Sequence, residues 1–246
     1  MLALMGWLEF VLAGLVFLIA HRIPTVPAMR RRLVDTLGES GFVAAYSLIS
    51  VGLLIWVIAA AGRAPYVEIW PPATWQAWVP TLVMPVACLL IAFSVGAPNP
   101  LSFSGGDAAR FDPARPGIVG VARHGLLWAL ALWSAAHMVP NGDLAHIVLF
   151  GTFCMFSIYG MYVIDRRKQR QMGYARWIEL AHATSFYPFQ SILDRRWIPA
   201  SIAMDRWVYF RLAVAGITCV LMVAFHEALL GVHPLPSLAD VLFASA

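Results

Sequence analysis

Six apolar runs, each long enough to cross a hydrocarbon layer of about 30 Å, dominate this 246-residue chain. They are Leu4–Ala20, Phe42–Ala61, Trp78–Val95, Val119–Val139, Leu144–Ile164 and Trp207–Leu230. Hydrophobic residues make up 61% of the chain and charged residues 12%. Soluble domains carry about 25% charged residues, and a mean hydropathy of +0.74 is equally foreign to them. The expected fold class is therefore all-α: a polytopic membrane protein with about six transmembrane helices in one bundle. Residues 1–246 read as a single transmembrane domain with no soluble domain attached.

Charge orients the runs. The first lacks a basic n-region and its positive charges follow it, at Arg22 and Arg30–Arg32, so it is not a cleaved signal peptide. The loops 22–40, 97–118 and 165–206, with their helix ends, hold every Lys and Arg of the chain's 17 except Arg63. That alternation is the positive-inside pattern and puts both termini on the non-cytoplasmic side. The net charge of +4 then reflects topology, and no nucleic-acid partner is expected. The bilayer is the expected partner, with anionic lipids at the 165–170 cluster Asp165–Arg170 (DRRKQR), each basic residue worth about 1 kcal/mol there. Cys88, Cys154 and Cys219 lie singly within runs and read as small packing residues.

The loops carry fewer signals. Tyr66, Trp70, Trp75 and Trp78 form an interfacial aromatic belt around the helix-blocking Pro71-Pro72. Pro85 is expected to kink the third run. The Pro- and Gly-rich loop Ala97–Gly117 contains SGGD, which lacks the spacing of a phosphate loop. In the turn 140–143, Asp143 is placed to cap the next helix. Trp177, Ile178 and Leu180 suggest an interfacial helix before Pro188.

Histidines on spanning helices are functional candidates by default. By depth, His21, His124 and His182 fall near the inner face, and His137, His146, His226 and His233 near the outer face. No HExxH or paired CxxC points to zinc. Two imidazoles from different helices can hold a haem iron between spans. Glu9 and Glu227 lie near the outer ends of their runs, either as partners for His226 or as interfacial residues. No GxSxG elbow accompanies the few carboxylates, so nucleophilic hydrolysis has no sequence signal.

Several segments resemble one family. They are FLIAH ending at His21, LGESGFVAAYSL from Leu37, GAPNPLSF from Gly96, Arg123-His124 and AHMVPNGD ending at Asp143. Asp165–Arg167, Gly173 and TSFYPF from Thr184 complete the set. In order and spacing they resemble the NnrU family of bacterial membrane proteins, whose plant relative is the zeta-carotene isomerase. The resemblance implies a multi-pass protein of the bacterial inner (cytoplasmic) membrane that binds haem b and supports nitrite and nitric oxide metabolism. Its axial ligands fall on His21 and His137, with His124, His182 and His226 as second choices. Arg123, Asn141, Asp143, Asp165, Arg166 and Ser185 support the motif. Haem-dependent cis–trans isomerisation of a carotenoid polyene is the alternative. Ser134 stands where the plant enzyme has a cysteine, and RHG (Arg123–Gly125) replaces the family's RHP.

Topology complicates the ligand pair, because His21 ends an inward-running helix while His137 nears the outer end of an outward-running one. The thirteen residue steps from His124 to His137 span about 20 Å of helix. Pairs on one side are His21 with His124 or His182, or His137 with His226. Arg123-His124 also resembles the inner-face pair that contacts S-adenosylmethionine in membrane methyltransferases. A non-catalytic assembly factor is a further class.

Overall fold

The computed structural model describes residues 2–23, 26–103, 105–198 and 206–235. Among them the regular structure is helical, with no strand beyond an isolated antiparallel bridge between Glu68 and Asp143. Four helical stretches, Pro27–Arg63, Thr74–Ser94, Leu144–Met172 and Arg206–Leu230, are long and apolar enough to cross a membrane. Two shorter apolar helices, Leu4–Ala20 and Gly125–Met138, accompany them. The chain divides into two units: residues 1–71 with 141–150, and residues 72–140 with 151–246.

In the first unit, helix α1 (Leu2–Ala20) packs on α2 (Pro27–Arg63). Gly6 makes the approach close, since a Cβ there would lie 2.7 Å from the Arg63 carbonyl oxygen. Pro27 opens α2 at a position where its missing N–H is not needed. Most of the stretch 22–40, read above as loop, is thus helix, bent at Gly38 (φ 71°), where the missing side chain permits the positive angle. Glu9 pairs with Arg63 (Nη2–Oε1 2.6 Å) and accepts from Trp56 Nε1 at 3.2 Å. That corrects the pairing of Glu9 with His226 considered from sequence. It also accounts for the one basic residue outside the positive-inside pattern, which is matched by a carboxylate on the neighbouring helix.

The turn 140–143 closes this unit. Asp143 caps α6 (Leu144–Met172) as expected, its Oδ1 accepting the His146 N–H at 3.2 Å while its other oxygen meets His146 Nδ1 at 2.7 Å. The Gly142 carbonyl accepts from both Ile69 N (2.8 Å) and Trp70 N (3.1 Å).

In the second unit, α3 (Trp78–Ser94) packs on α5 (Gly125–Met138) and on α9 (Arg206–Leu230). Pro85 lies inside α3, and Arg211 of α9 donates to the Val95 carbonyl (3.1 Å) and to that of Ala92, covering acceptors at the end of α3. The run Val119–Val139, expected as one span, is broken. A short helix α4 (Ile118–Val121) ends before the extended Ala122, and α5 begins only at Gly125. Helix α6 has 29 residues, about 43 Å, so it continues through the basic cluster that sequence placed in a loop. Gly173 (φ 82°) then turns the chain into α7 (Tyr174–Ala181), the anticipated amphipathic helix. Leu180 and Ala181 pack against Leu101 with Trp177, while Ile178 faces outward. A last short helix, α8 (Gln190–Leu193), packs against α4.

A Cβ at Gly142 would lie 2.1 Å from the Trp70 carbonyl oxygen, whereas one at Gly62 meets nothing within 4 Å. Gly142→Ala is therefore expected to cost about 1–3 kcal/mol, seen as a lower melting temperature in detergent, with Gly62→Ala neutral or stabilising.

Candidate functional site

The break between α4 and α5 has a cause. At Ala122–His124 the chain leaves the helix so that two polar side chains enter the interior of the second unit, where Arg123 is 5% and His124 0% exposed. The Arg123 N–H, freed from a helical bond, donates to the Ser185 carbonyl at 2.7 Å. Its guanidinium donates from Nη1 to Asp165 Oδ2 at 2.5 Å and from Nε to Thr184 Oγ1 at 2.8 Å. The same group lies 5.0 Å over the Trp177 ring.

Both nitrogens of His124 are engaged. Nε2 meets Asp165 Oδ1 at 3.0 Å and Nδ1 meets Ser102 Oγ at 3.1 Å, with the Phe186 ring edge-on at 6.0 Å. Asn99 ties the loop after α3 into the network, donating to the Arg123 carbonyl (2.9 Å) and accepting from Leu101 N (2.9 Å). A second cluster adjoins it: the Ser185 and Ser191 hydroxyls both lie on the Gly120 carbonyl oxygen, at 2.5 and 2.7 Å. Arg196 fastens the segment after α7 through the carbonyls of His182 (2.9 Å) and Thr184 (3.3 Å). A buried ion pair is costly unless its remaining atoms are hydrogen-bonded, and here several of them are.

Of the residues singled out by sequence, Arg123, His124, Asp165 and Ser185 meet in this network. Arg166 follows on an exposed face of α6, and His182 is exposed at the end of α7. Asn141 and Asp143 belong to the turn of the first unit. Asn99, Ser102, Thr184 and Ser191 were missed as site residues. Their signal was weak, since small polar residues in loops are ordinary, although three of them lie in segments that carried the resemblance.

The remaining histidines behave differently. His21, just after α1 of the first unit, holds its Nδ1 2.8 Å from the Phe17 carbonyl, with the Phe17 ring tilted against it and the Tyr46 ring edge-on. His137, near the end of α5 in the second unit, repeats that bond with the Trp133 carbonyl at 2.8 Å. On α9, His226 Nδ1 lies 2.7 Å from the Val232 carbonyl. A carbonyl partner requires the hydrogen on Nδ1, so in each neutral ring Nε2 carries the lone pair. Ring N–H donation to a carbonyl is the usual outer-shell support of a metal-bound histidine. His124, with both nitrogens occupied, offers an iron no such atom. Among the described residues no group of three His, Cys, Asp or Glu side chains is placed to hold a metal ion.

A family model described as NnrU protein matches residues 9–234. The chain belongs to the NnrU family. No curated protein and no solved structure matches it. Within this NnrU-family chain, four of the resembling segments, GAPNPLSF, Arg123-His124, Asp165–Arg167 and TSFYPF, each contribute a residue to the buried network.

The replacement of RHP by RHG also has a local reason. A Cβ at Gly125 would lie 2.0 Å from Ser94 Oγ and 3.1 Å from Ser94 Cβ. The Ser94 hydroxyl is buried without a hydrogen-bond partner. Gly125→Ala is expected to destabilise by about 1–3 kcal/mol, and Ser94→Gly in the same chain to restore most of the loss. A double-mutant cycle of melting temperatures reads this coupling directly.

Proposed function

We propose that this NnrU-family protein is a six-span protein of the bacterial cytoplasmic membrane, with both ends on the outer side. In this reading it binds haem b within the second unit and serves nitrite and nitric oxide metabolism. The observation that carries it is a pair of imidazoles, His137 and His226, on different helices of one unit, each with Nδ1 on a main-chain carbonyl. That donor set suits a six-coordinate haem iron, which needs two neutral imidazole nitrogens and an apolar surround.

The surround is present in kind. An apolar cleft of about 220 Å³ lies along the packed helices α3 and α9, lined by Pro85, Leu89, Leu212, Ala215, Gly216 and Cys219. On α9 the lining positions 212, 215, 216 and 219 follow the i, i+3, i+4, i+7 pattern of one helix face. His226 stands seven residues, about 10 Å, further along that face. When bound, haem would supply an iron that passes one electron and that would take nitric oxide only in place of one imidazole. The chain's own part is to hold the imidazole tautomers and keep water away.

His21, which the family resemblance implies as a ligand, has the same tautomer within the first unit. Ser134, in the position of the plant enzyme's cysteine, donates its hydroxyl to the Leu130 carbonyl at 2.7 Å and cannot ligate as a thiolate. That favours nitric oxide chemistry over polyene isomerisation.

The decisive measurement is an oxidised and dithionite-reduced absorption spectrum of the detergent-purified protein, with pyridine haemochrome quantitation. A b-type spectrum near one haem per chain is expected. His137→Ala should lose the pigment, while His146→Ala, whose ring serves Asp143, should keep it. Loss in His226→Ala but not His21→Ala assigns the pair within the second unit, and the reverse assigns the family pair. A colourless, folded protein from haem-replete cells sinks the haem reading and points to methyl transfer or an assembly role. For topology, a reporter fused after Ala246 should be active only outside the cytoplasm, and activity inside would overturn the six-span arrangement.

A further inference from the structure

We propose that Ser102, His124 and Asp165 form a nucleophilic relay acting on carboxylic esters of membrane-borne amphiphiles, a site independent of the haem reading. The argument is the order of the hydrogen bonds. Asp165 receives Arg123 on Oδ2 and His124 Nε2 on Oδ1. The ring hydrogen therefore sits on Nε2, and Nδ1 is an acceptor 3.1 Å from Ser102 Oγ. The Ser102 hydroxyl donates to a base. Ser185 and Ser191, by contrast, lie on the Gly120 carbonyl, which cannot take a proton.

Nucleophile, base and an acid that orients the base make up a catalytic triad. Triads are recognised by these roles and by geometry, whatever the order of the residues in the chain. Here the three come from the loop after α3, the break before α5, and α6. Arg123 holds the carboxylate, full burial holds the imidazole, and Asn99 holds the loop three residues before Ser102. Ser102 is 5% exposed and the next residue, Phe103, is 58% exposed, so the loop that carries the hydroxyl also carries an exposed apolar side chain. That neighbour suits an acyl chain and gives the substrate class.

The reaction balances without a further reagent. Ser102 Oγ bonds to the ester carbonyl carbon while its proton passes to His124 Nδ1. The carbon–oxygen bond to the alcohol breaks, and the alcohol leaves with that proton. Water then adds to the acyl-serine with Nδ1 as base, releasing the acid and restoring the hydroxyl.

The test is a fluorophosphonate probe on the full-length protein in detergent, with the labelled peptide mapped by mass spectrometry. Label is expected on Ser102 and not on Ser185 or Ser191, absent in Ser102→Ala and at least ~100-fold slower in Asp165→Asn. Because Asp165→Asn also strips Arg123 of its partner, Ser102→Cys gives a second readout. A thiol beside His124 should be alkylated by iodoacetamide at pH 7 at least ~10-fold faster than Cys154, since a paired imidazole favours the thiolate. No label on Ser102 in protein that melts cooperatively, or alkylation of Ser102→Cys no faster than Cys154, overturns the relay and leaves Ser102 a structural tether.

Discussion

The buried pair of Arg123 and Asp165 is the contact on which the second unit's interior turns. Two charges withdrawn from water lose several kcal/mol each in solvation, and removing one partner from such a pair typically costs about 3–5 kcal/mol. The remaining donors and acceptors must therefore be met, and meeting them recruits the rest. Thr184 and the Ala181 carbonyl take guanidinium hydrogens, Asn99 takes the Arg123 carbonyl, and Ser185 takes its N–H. The loop after α3, the start of α5, α6 and the end of α7 are thereby held to one ion pair.

The same pair explains the interrupted helix. A continuous helix from Val119 to Val139 would commit the Arg123 N–H and carbonyl to the helical ladder. The extended Ala122 releases them, and the released groups find partners on other segments. Non-helical backbone is tolerated where protein buries it and meets its polar groups, and His124 at 0% exposure meets that condition. The irregular geometry is thus a consequence of polar satisfaction, and the functional proposals for this region draw on the atoms it brings together.

Histidine environments divide along the same physical line. His124 spends both nitrogens within the network, and His146 engages Asp143 at the cap of α6. His21, His137 and His226 each place Nδ1 on a carbonyl, which leaves the lone pair on Nε2. Ring type alone does not separate a structural histidine from a ligand. The hydrogen-bond partner of each nitrogen does.

Much of the fold was legible before any coordinates. Hydropathy is local and additive along the chain, so the six apolar helices, the Asp143 cap and the amphipathic α7 follow from short windows of sequence. The basic run ahead of the second apolar helix and the one after Ile164 read as loop, because a charged stretch looks the same to a hydropathy window whether or not it is helical. The burial of Arg123, the pairing of Glu9 with Arg63, and the meeting of Ser102 with His124 and Asp165 were not legible. Each depends on hydrogen bonds between groups 22 to 54 positions apart, and residue type does not disclose such pairings. Sequence alone determined that this chain is a helical membrane protein and which polar residues were worth watching. Only the tertiary structure decided their partners, because a buried charge or imidazole takes its role from the atoms folded against it.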